Sequence, residues 1–186
     1  MNTNVFGKMK IAVFGGSFDP PHVGHLWAVV YSLAMHDDIE EVWVIPCYRH
    51  AYGKKLTPFK DRFLMCESLF QPFSNVRVSQ TEMHLSIKYD KPNFTADTLE
   101  FLKEQYNYDI SLIVGADIAE DISKWDGYER ISKVAKILSV PREDTAVPEL
   151  GSTNVKEEIA NGRIPDKILT PKVVDYILKN NLYRKI

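Results

Sequence analysis

Four apolar residues, Ile11-Ala12-Val13-Phe14, run into two glycines, two prolines and two histidines, and a second apolar stretch follows at helical spacing. This string, Gly15-Gly16-Ser17-Phe18-Asp19-Pro20-Pro21-His22-Val23-Gly24-His25, constrains the fold more than any other part of the chain. An unbroken apolar run reads as a strand buried on both faces. Leu26, Val29, Val30 and Leu33 repeat at helical spacing. A strand that enters a helix through such a turn is the unit of an open α/β sheet, which binds ligands outside the carboxyl ends of its strands. Backbone N–H groups at a helix start favour phosphate, and residues without a Cβ let a ligand approach the backbone closely. His22 and His25, three apart across a helix start, can face one ligand together. The string therefore predicts a nucleotide-phosphate site. Zinc is the other chemistry two histidines suggest, but it needs a third and usually a fourth ligand. Asp19 is the only nearby candidate, and no second His or Cys cluster has metal-site spacing.

Strands and helices alternate along the rest of the chain. Strands are predicted over residues 10–14, 41–45, 76–79, 110–114 and 135–140. Helices are predicted over 25–35, from a Thr57-Pro58 start to about 71, over 95–106 with Thr95 as cap, in two short pieces around Trp125, over 152–161 closed by Gly162, and from Thr170-Pro171 to 179. In the 58–71 helix Phe63, Leu64, Leu69 and Phe70 are expected to face inward, and residues 80–92 read as a polar loop. The alternation implies a parallel sheet. The fold expected is α/β, a Rossmann-like doubly wound parallel sheet with a small C-terminal helical segment. No repeat or low-complexity segment interrupts it. Residues 1–8 read as a polar, disordered leader, with Met9 as an alternative start.

At 186 residues and a formal net charge of -2, the chain offers no electrostatic case for binding nucleic acid or a membrane surface, and no apolar run reaches the ~18 residues of a membrane span. The two cysteines, Cys47 and Cys66, suit free thiols in a reduced, cytoplasmic setting. Cys66 is expected to be buried, and Trp27 and Trp43 to be packing residues.

The turn resembles the signature of the nucleotidyltransferase superfamily that carries the HxGH motif. Within it the chain is similar to the nicotinate- and nicotinamide-nucleotide adenylyltransferases. Four further segments carry the resemblance: Phe94-Thr95-Ala96-Asp97-Thr98-Leu99; Leu112-Ile113-Val114-Gly115-Ala116-Asp117 with Trp125 downstream; Gly151-Ser152-Thr153-Asn154-Val155-Lys156; and the tail from Leu169 to Tyr183. The likeness spans residues 10–183, and residues 9–186 are expected to form one domain. Two departures stand out. Lys156 occupies a place where the family usually has Arg, and lysine cannot form a bidentate fork. The loop Tyr52-Gly53-Lys54-Lys55 is closer to that of enzymes using the amide substrate than to the acid-specific pattern.

The resemblance implies adenylyl transfer from ATP to a pyridine mononucleotide in NAD biosynthesis, with Mg2+ carried on the ATP phosphates and Asp19 assisting through water. It implies His22 and His25 as the catalytic donors. The ATP site would add Gly15, Gly16, Ser17, Phe18, Gly115, Asp117, Arg142, Ser152, Thr153 and Lys156. Lys54, Lys55 and Arg62 would meet the substrate phosphate, Thr95 would offer a helix start to the nicotinate carboxylate or carboxamide, and Trp125 would stack on the cationic pyridine ring. A homo-oligomer is also implied. Taken alone, each has an ordinary structural use: a cap for Ser152 and Thr95, solvated charge for the lysines, core for Trp125. Two other readings stay open at this point, an adenylyl- or cytidylyltransferase with another acceptor such as phosphopantetheine, and a nucleotide-binding regulator without turnover.

Overall fold

The computed structural model describes residues 8–141, 151–165 and 168–184. Five strands, β1 (Lys10–Gly16), β2 (Glu41–Pro46), β3 (Val76–Val78), β4 (Asp109–Gly115) and β5 (Ala135–Val140), form one sheet in the order β3-β2-β1-β4-β5. Every neighbouring pair is parallel. Eight α-helices accompany them among the described residues: α1 (Val23–Met35), α2 (Phe59–Phe70), α3 (Thr81–Tyr89), α4 (Thr95–Tyr106), α5 (Ala116–Asp121), α6 (Tyr128–Val134), α7 (Ser152–Ala160) and α8 (Pro171–Lys179). This is the Rossmann-like sheet the alternation predicts. No helix among the described residues is long and apolar enough to cross a membrane.

The strands' period of two divides the core into two layers. Ala12, Val42, Val44, Ile113 and Val140 meet Val29 of α1, Met65 and Leu69 of α2, Val155 of α7 and Val173 of α8. Ile11, Val13, Trp43, Ile45, Leu112 and Val114 face the other way, onto Leu99 and Leu102 of α4 and Ile131 of α6. A fully buried aliphatic side chain contributes about 1.5–3 kcal/mol, whereas an exposed ion pair such as Lys10–Asp38, at 3.0 Å, contributes about 0–1 kcal/mol. The two apolar layers, not surface charge, make the sheet a fixed platform. From β1 the chain builds outward through β2 and β3, then returns to place β4 on the other side of β1. The strand order therefore reverses between β1 and β4, and their carboxyl ends, Gly15-Gly16 and Gly115, border the crevice where such sheets bind ligands.

Several local expectations change. Residues 81–89 are helix, not loop. The helix expected from Thr95 starts there, but Thr95 is its first residue; Asp97 reaches back to accept the Phe94 N–H at 3.2 Å. Thr57 likewise does not cap α2, which begins at Phe59; its N–H goes to the Asp19 carboxylate at 3.3 Å. The face α2 buries is Arg62, Met65, Cys66, Leu69 and Phe70, with Phe63 and Leu64 only half-buried. Cys66 is buried as expected, and Trp43 is core, but Trp27 is exposed beside Tyr31.

Candidate active site

The turn after β1 is held by its own side chains. Phe18 is buried although its φ is +47°, a region that costs a non-glycine residue on the order of 1–3 kcal/mol. Burial of the ring offsets that cost. The ring lies 4.8 Å from His25 and 5.4 Å from Phe14, centroid to centroid. A Cβ on Gly16 would come within 3.2 Å of it, so the residue there has to be small, while a Cβ on Gly15 would meet nothing within 4 Å. The backbone at Gly15 thus opens onto space that a ligand can enter.

His22 is the N-cap of α1. Its Nδ1 accepts the Gly24 N–H at 3.2 Å, and the Nδ1 of His25 accepts the His22 N–H at 3.1 Å. A neutral imidazole whose Nδ1 accepts a hydrogen bond carries its proton on Nε2. The hydrogen-bond network therefore assigns both rings the same tautomer, each with Nε2–H as donor. Their centroids are 3.9 Å apart, so the two donors belong to one small region.

A second helix start meets this turn. Ser152, the first residue of α7, donates from its hydroxyl to the Pro20 carbonyl at 2.9 Å, and Thr153 beside it is exposed. The positive ends of α1 and α7 thus lie against the same Pro20-Pro21 segment, which favours an anion there. Lys156, one turn further on, pairs with Asp19 at 3.1 Å.

Asp19 is buried and fully engaged. One carboxylate oxygen accepts from Tyr183 at 3.0 Å; the other accepts from Lys156 and from the Thr57 N–H. Burial pushes its carboxyl up, but the bonds from Thr57 and Lys156 and the lysine charge outweigh this and hold it below the usual carboxylate range. Asp19 ties α7, the C-terminal tail and the start of α2 to the turn. That does not suit the role, expected from the resemblance, of assisting a phosphate-bound Mg2+. Among the described residues no group of three or more His, Cys, Asp or Glu could hold a metal ion. The described side chains around the turn therefore form no cage for Mg2+.

Arg62 also sits elsewhere than expected. It is fully buried. Its Nε donates to the Thr57 carbonyl at 2.8 Å, one terminal nitrogen to Ser17 at 2.7 Å and the other to Cys47 at 2.6 Å. The guanidinium fastens the phosphate turn to the end of β2 and to the start of α2, instead of facing a substrate phosphate. Burial lowers its pKa from the usual guanidinium value, against the pull of nearby acidic groups.

The other side of the crevice is more open. Lys54 and Lys55 are exposed on the loop after β2, and Lys54 borders an open depression of about 450 Å³ with Tyr48, His50, Leu56 and Phe59. Thr95 stands half-buried in the first turn of α4. Trp125 ends a 3-10 turn, half-buried against the second core layer. Asp126 and Gly127 follow it into α6. Gly127 has φ +82°, and a Cβ there would lie 2.9 Å from the Ala96 Cβ of α4, so only glycine lets the Trp125 turn rest on the start of that helix. Gly115 is the N-cap of α5 and Asp117 lies in its first turn. Arg142 lies outside the described residues.

Sequence reasoning missed Glu82, on the unforeseen α3. Its carboxylate accepts the Tyr48 N–H at 3.1 Å at the root of the lysine loop. Burial raises its pKa to about 7 despite bonds from Tyr48 and Cys47. The neighbouring Cys47 thiol is pushed up to about 12, by burial first and then by Glu82, which makes it a poor nucleophile.

Comparison with known proteins decides the family. Residues 13–178 match the family model described as cytidylyltransferase-like. A protein of Anaeromyxobacter dehalogenans strain 2CP-C named "Probable nicotinate-nucleotide adenylyltransferase" is 35% identical over 188 residues, covering 96% of this chain and 98% of its own. The chain belongs to the nicotinate-nucleotide adenylyltransferase family. A Myxococcus xanthus protein of the same name is 32% identical, over 94% of this chain and 95% of its own. The fold agrees: the Plasmodium falciparum nicotinic acid mononucleotide adenylyltransferase complexed with NaAD superposes with a TM-score of 0.76 at 23% identity, covering 94% of this chain and 97% of that one. The resemblance carried by the turn and four later segments is borne out. As a member of this family the chain is a nucleotidyltransferase, and the reading as a non-catalytic regulator falls away.

Proposed function

We propose that this chain transfers the adenylyl group of ATP to nicotinate mononucleotide in NAD biosynthesis. The mononucleotide phosphate attacks the α-phosphorus in line, the bond to the β-phosphate oxygen breaks, and pyrophosphate leaves with that bond's electrons. A mononucleotide phosphate is ionised at neutral pH, so the step needs position and charge stabilisation and no general base. The observation that carries this reading is the pair of backbone N–H bonds to the Nδ1 atoms of His22 and His25, which turns both rings the same way. Two preset Nε2–H donors, fixed from behind by backbone N–H groups, suit charge that builds on transferring phosphoryl oxygens.

Gly15, Gly16, Ser17 and Phe18 supply the close backbone approach, and the α7 start at Ser152 and Thr153 receives the far phosphates. Lys156, paired with Asp19 one turn behind that start, adds positive charge beside them. Gly115 and Asp117, at the end of β4 and the start of α5, are assigned to the nucleotide's ribose, and Arg142 to the same nucleotide, by resemblance. Lys54 and Lys55 neutralise the acceptor phosphate, Trp125 stacks on its pyridine ring, and the positive end of α4 at Thr95 favours a carboxylate. Mg2+ is carried on the triphosphate, whose oxygens and water suit its hard, octahedral preference. The domain spanning residues 9–186 would act in the cytoplasm as a homo-oligomer.

Pyrophosphate release with ATP and each pyridine mononucleotide tests this. The acid is expected to give a kcat/KM at least about tenfold above the amide, a difference of about 1.4 kcal/mol. ATP binding without pyrophosphate release from either mononucleotide would sink the proposal, and faster turnover of phosphopantetheine or of CTP would replace it.

A further inference from the structure

The loop that carries Lys54 and Lys55 is firmly rooted at both ends and needs something to hold its tip. At the roots, Glu82 takes the Tyr48 N–H, and Arg62 holds the Cys47 and Thr57 carbonyls. Between them the chain turns at His50-Ala51-Tyr52-Gly53. The Gly53 N–H donates to the His50 carbonyl at 2.9 Å, the Tyr52 N–H to His50 Nδ1 at 3.2 Å, and Gly53 takes a φ of +70°. This fixes Tyr52 at the tip. Its side chain is 73% exposed, yet it is not loose. The hydroxyl donates to Asp126 at 2.9 Å, 74 positions along the chain, and the ring stands edge-on to Phe94 at 6.2 Å. Among the described residues, this is the hydrogen bond that ties residues 50–56 to another element.

The other end of the bond is a rigid post. Asp126 lies between Trp125 and Gly127, in the turn that rests on Ala96. Arg130 of α6 pairs with Asp97 at 2.8 Å and with Glu100, both on α4. One hydrogen bond thus joins the loop bearing the two lysines to the turn bearing the tryptophan. An exposed polar contact adds little to global stability, so its value lies in where it holds the loop.

We propose that Tyr52 and Asp126 form a latch that holds the residue 50–56 tip across the mononucleotide side of the site, with Tyr52 as a positioning residue that sets Lys54 and Lys55 against the acceptor phosphate. The latch rests on the proposed function for the role of those two lysines, but its mechanical part does not. Losing it frees the loop, lowers the fraction of molecules in which both lysines are in place, and weakens the acceptor's apparent affinity by that fraction. ATP, bound at the β1 turn, is unaffected.

Amide hydrogen exchange and steady-state kinetics on the full chain test this together. Tyr52→Phe and Asp126→Ala are expected to speed exchange across residues 50–56 and to raise KM for the mononucleotide about three- to tenfold, the span of one ordinary hydrogen bond, with KM for ATP and exchange in α1 unchanged. Asp126→Asn keeps an acceptor oxygen and holds both readouts to within about twofold of the unaltered chain, below that span. The Tyr52→Phe/Asp126→Ala pair is no worse than either single change, as a shared contact requires. Unchanged exchange in Tyr52→Phe, equal rises in both KM values, or additive effects in the pair would each overturn the latch. Lys54→Ala/Lys55→Ala separates it from the reading beneath: normal exchange with an unchanged mononucleotide KM would remove the lysines from the phosphate and leave the latch a purely mechanical contact.

Discussion

Asp19 and Glu82 stand on the two sides of one crevice and are built in opposite ways. Asp19, at the phosphate turn, is buried with a lysine, a tyrosine and a backbone N–H on its oxygens, and its pKa is lowered. Glu82, at the root of the lysine loop, accepts a backbone N–H and has no lysine or arginine bonded to it among the described residues, and burial raises its pKa to about 7. The contrast extends to their surroundings. The phosphate side is cross-linked by Phe18, Asp19, Ser152 and Tyr183, whereas the acceptor side is an exposed loop tied at its tip, among the described residues, by one hydrogen bond. A transferring phosphoryl group needs donors already in place. An acceptor has to enter and a dinucleotide has to leave, which suits a side held by weaker ties.

Arg62 links the two sides, since it bonds Ser17 of the turn and Cys47 of the loop root. Arg62→Met would leave the Ser17, Cys47 and Thr57 carbonyls without the donor that the buried guanidinium supplies. The expected loss is about 3–5 kcal/mol of unfolding free energy, three hydrogen bonds at about 1–1.5 kcal/mol each, read by urea denaturation, with activity falling in proportion to the folded fraction. If stability changed by less than about 1 kcal/mol, an ordinary surface effect, while the mononucleotide KM rose, Arg62 would be a substrate ligand after all.

Two alanine variants then ask whether the sides work separately. His25→Ala is expected to lower kcat by about a hundredfold or more, the effect of losing one preorganised donor. Trp125→Ala is expected to raise the mononucleotide KM about tenfold and to spare the KM for ATP, as loss of a cation–π contact would. A Trp125→Ala enzyme with both constants unchanged and lowered stability would make the tryptophan a core residue only. A His25→Ala enzyme with normal kcat and weakened ATP binding would make that histidine a ground-state contact.

How much of this the sequence carried follows from the same contrast. The turn was legible because its chemistry lies within eleven consecutive residues, and β1, β2, β4 and β5 because each is an apolar run that stops at glycine or proline. Arg62 was misplaced although the signal was present: it falls on the helical face of Met65, Cys66 and Leu69, and a charge on an apolar stripe marks a buried, bonded one. α3 was hidden because Met83, Leu85 and Ile87 alternate like a strand, while the face it buries includes the small polar residues Thr81 and Ser86. The shared tautomer of His22 and His25 and the Tyr52–Asp126 contact depend on hydrogen-bond direction and on residues 74 apart. Local pattern does not encode either.

The smallest expected effect concerns the two carboxylates themselves. A lowered native pKa makes Asp19 stabilising above its unfolded value of about 3.8, and that contribution is lost as pH falls through the lower native value. It is constant across neutral pH. Glu82 acts in reverse. Its native pKa of about 7 lies above the ordinary 4.5, so between those values the native chain binds more proton than the unfolded one, and stability falls as pH rises through the window. The groups facing it, the Cys47 thiol and the Arg62 guanidinium, do not titrate there. Glu82→Gln keeps an oxygen for the Tyr48 N–H and removes the titration. Relative to the unaltered chain it is expected to gain stability progressively from pH 5 to pH 8, by on the order of 1–3 kcal/mol at the upper end. Histidines titrate in the same window, but they are common to both chains and cancel in the difference. Chemical denaturation at pH 5, 6, 7 and 8 reads it directly. Parallel stability curves would mean that Glu82 is ionised at the loop root throughout, and the contrast with Asp19 would then rest on bonding alone.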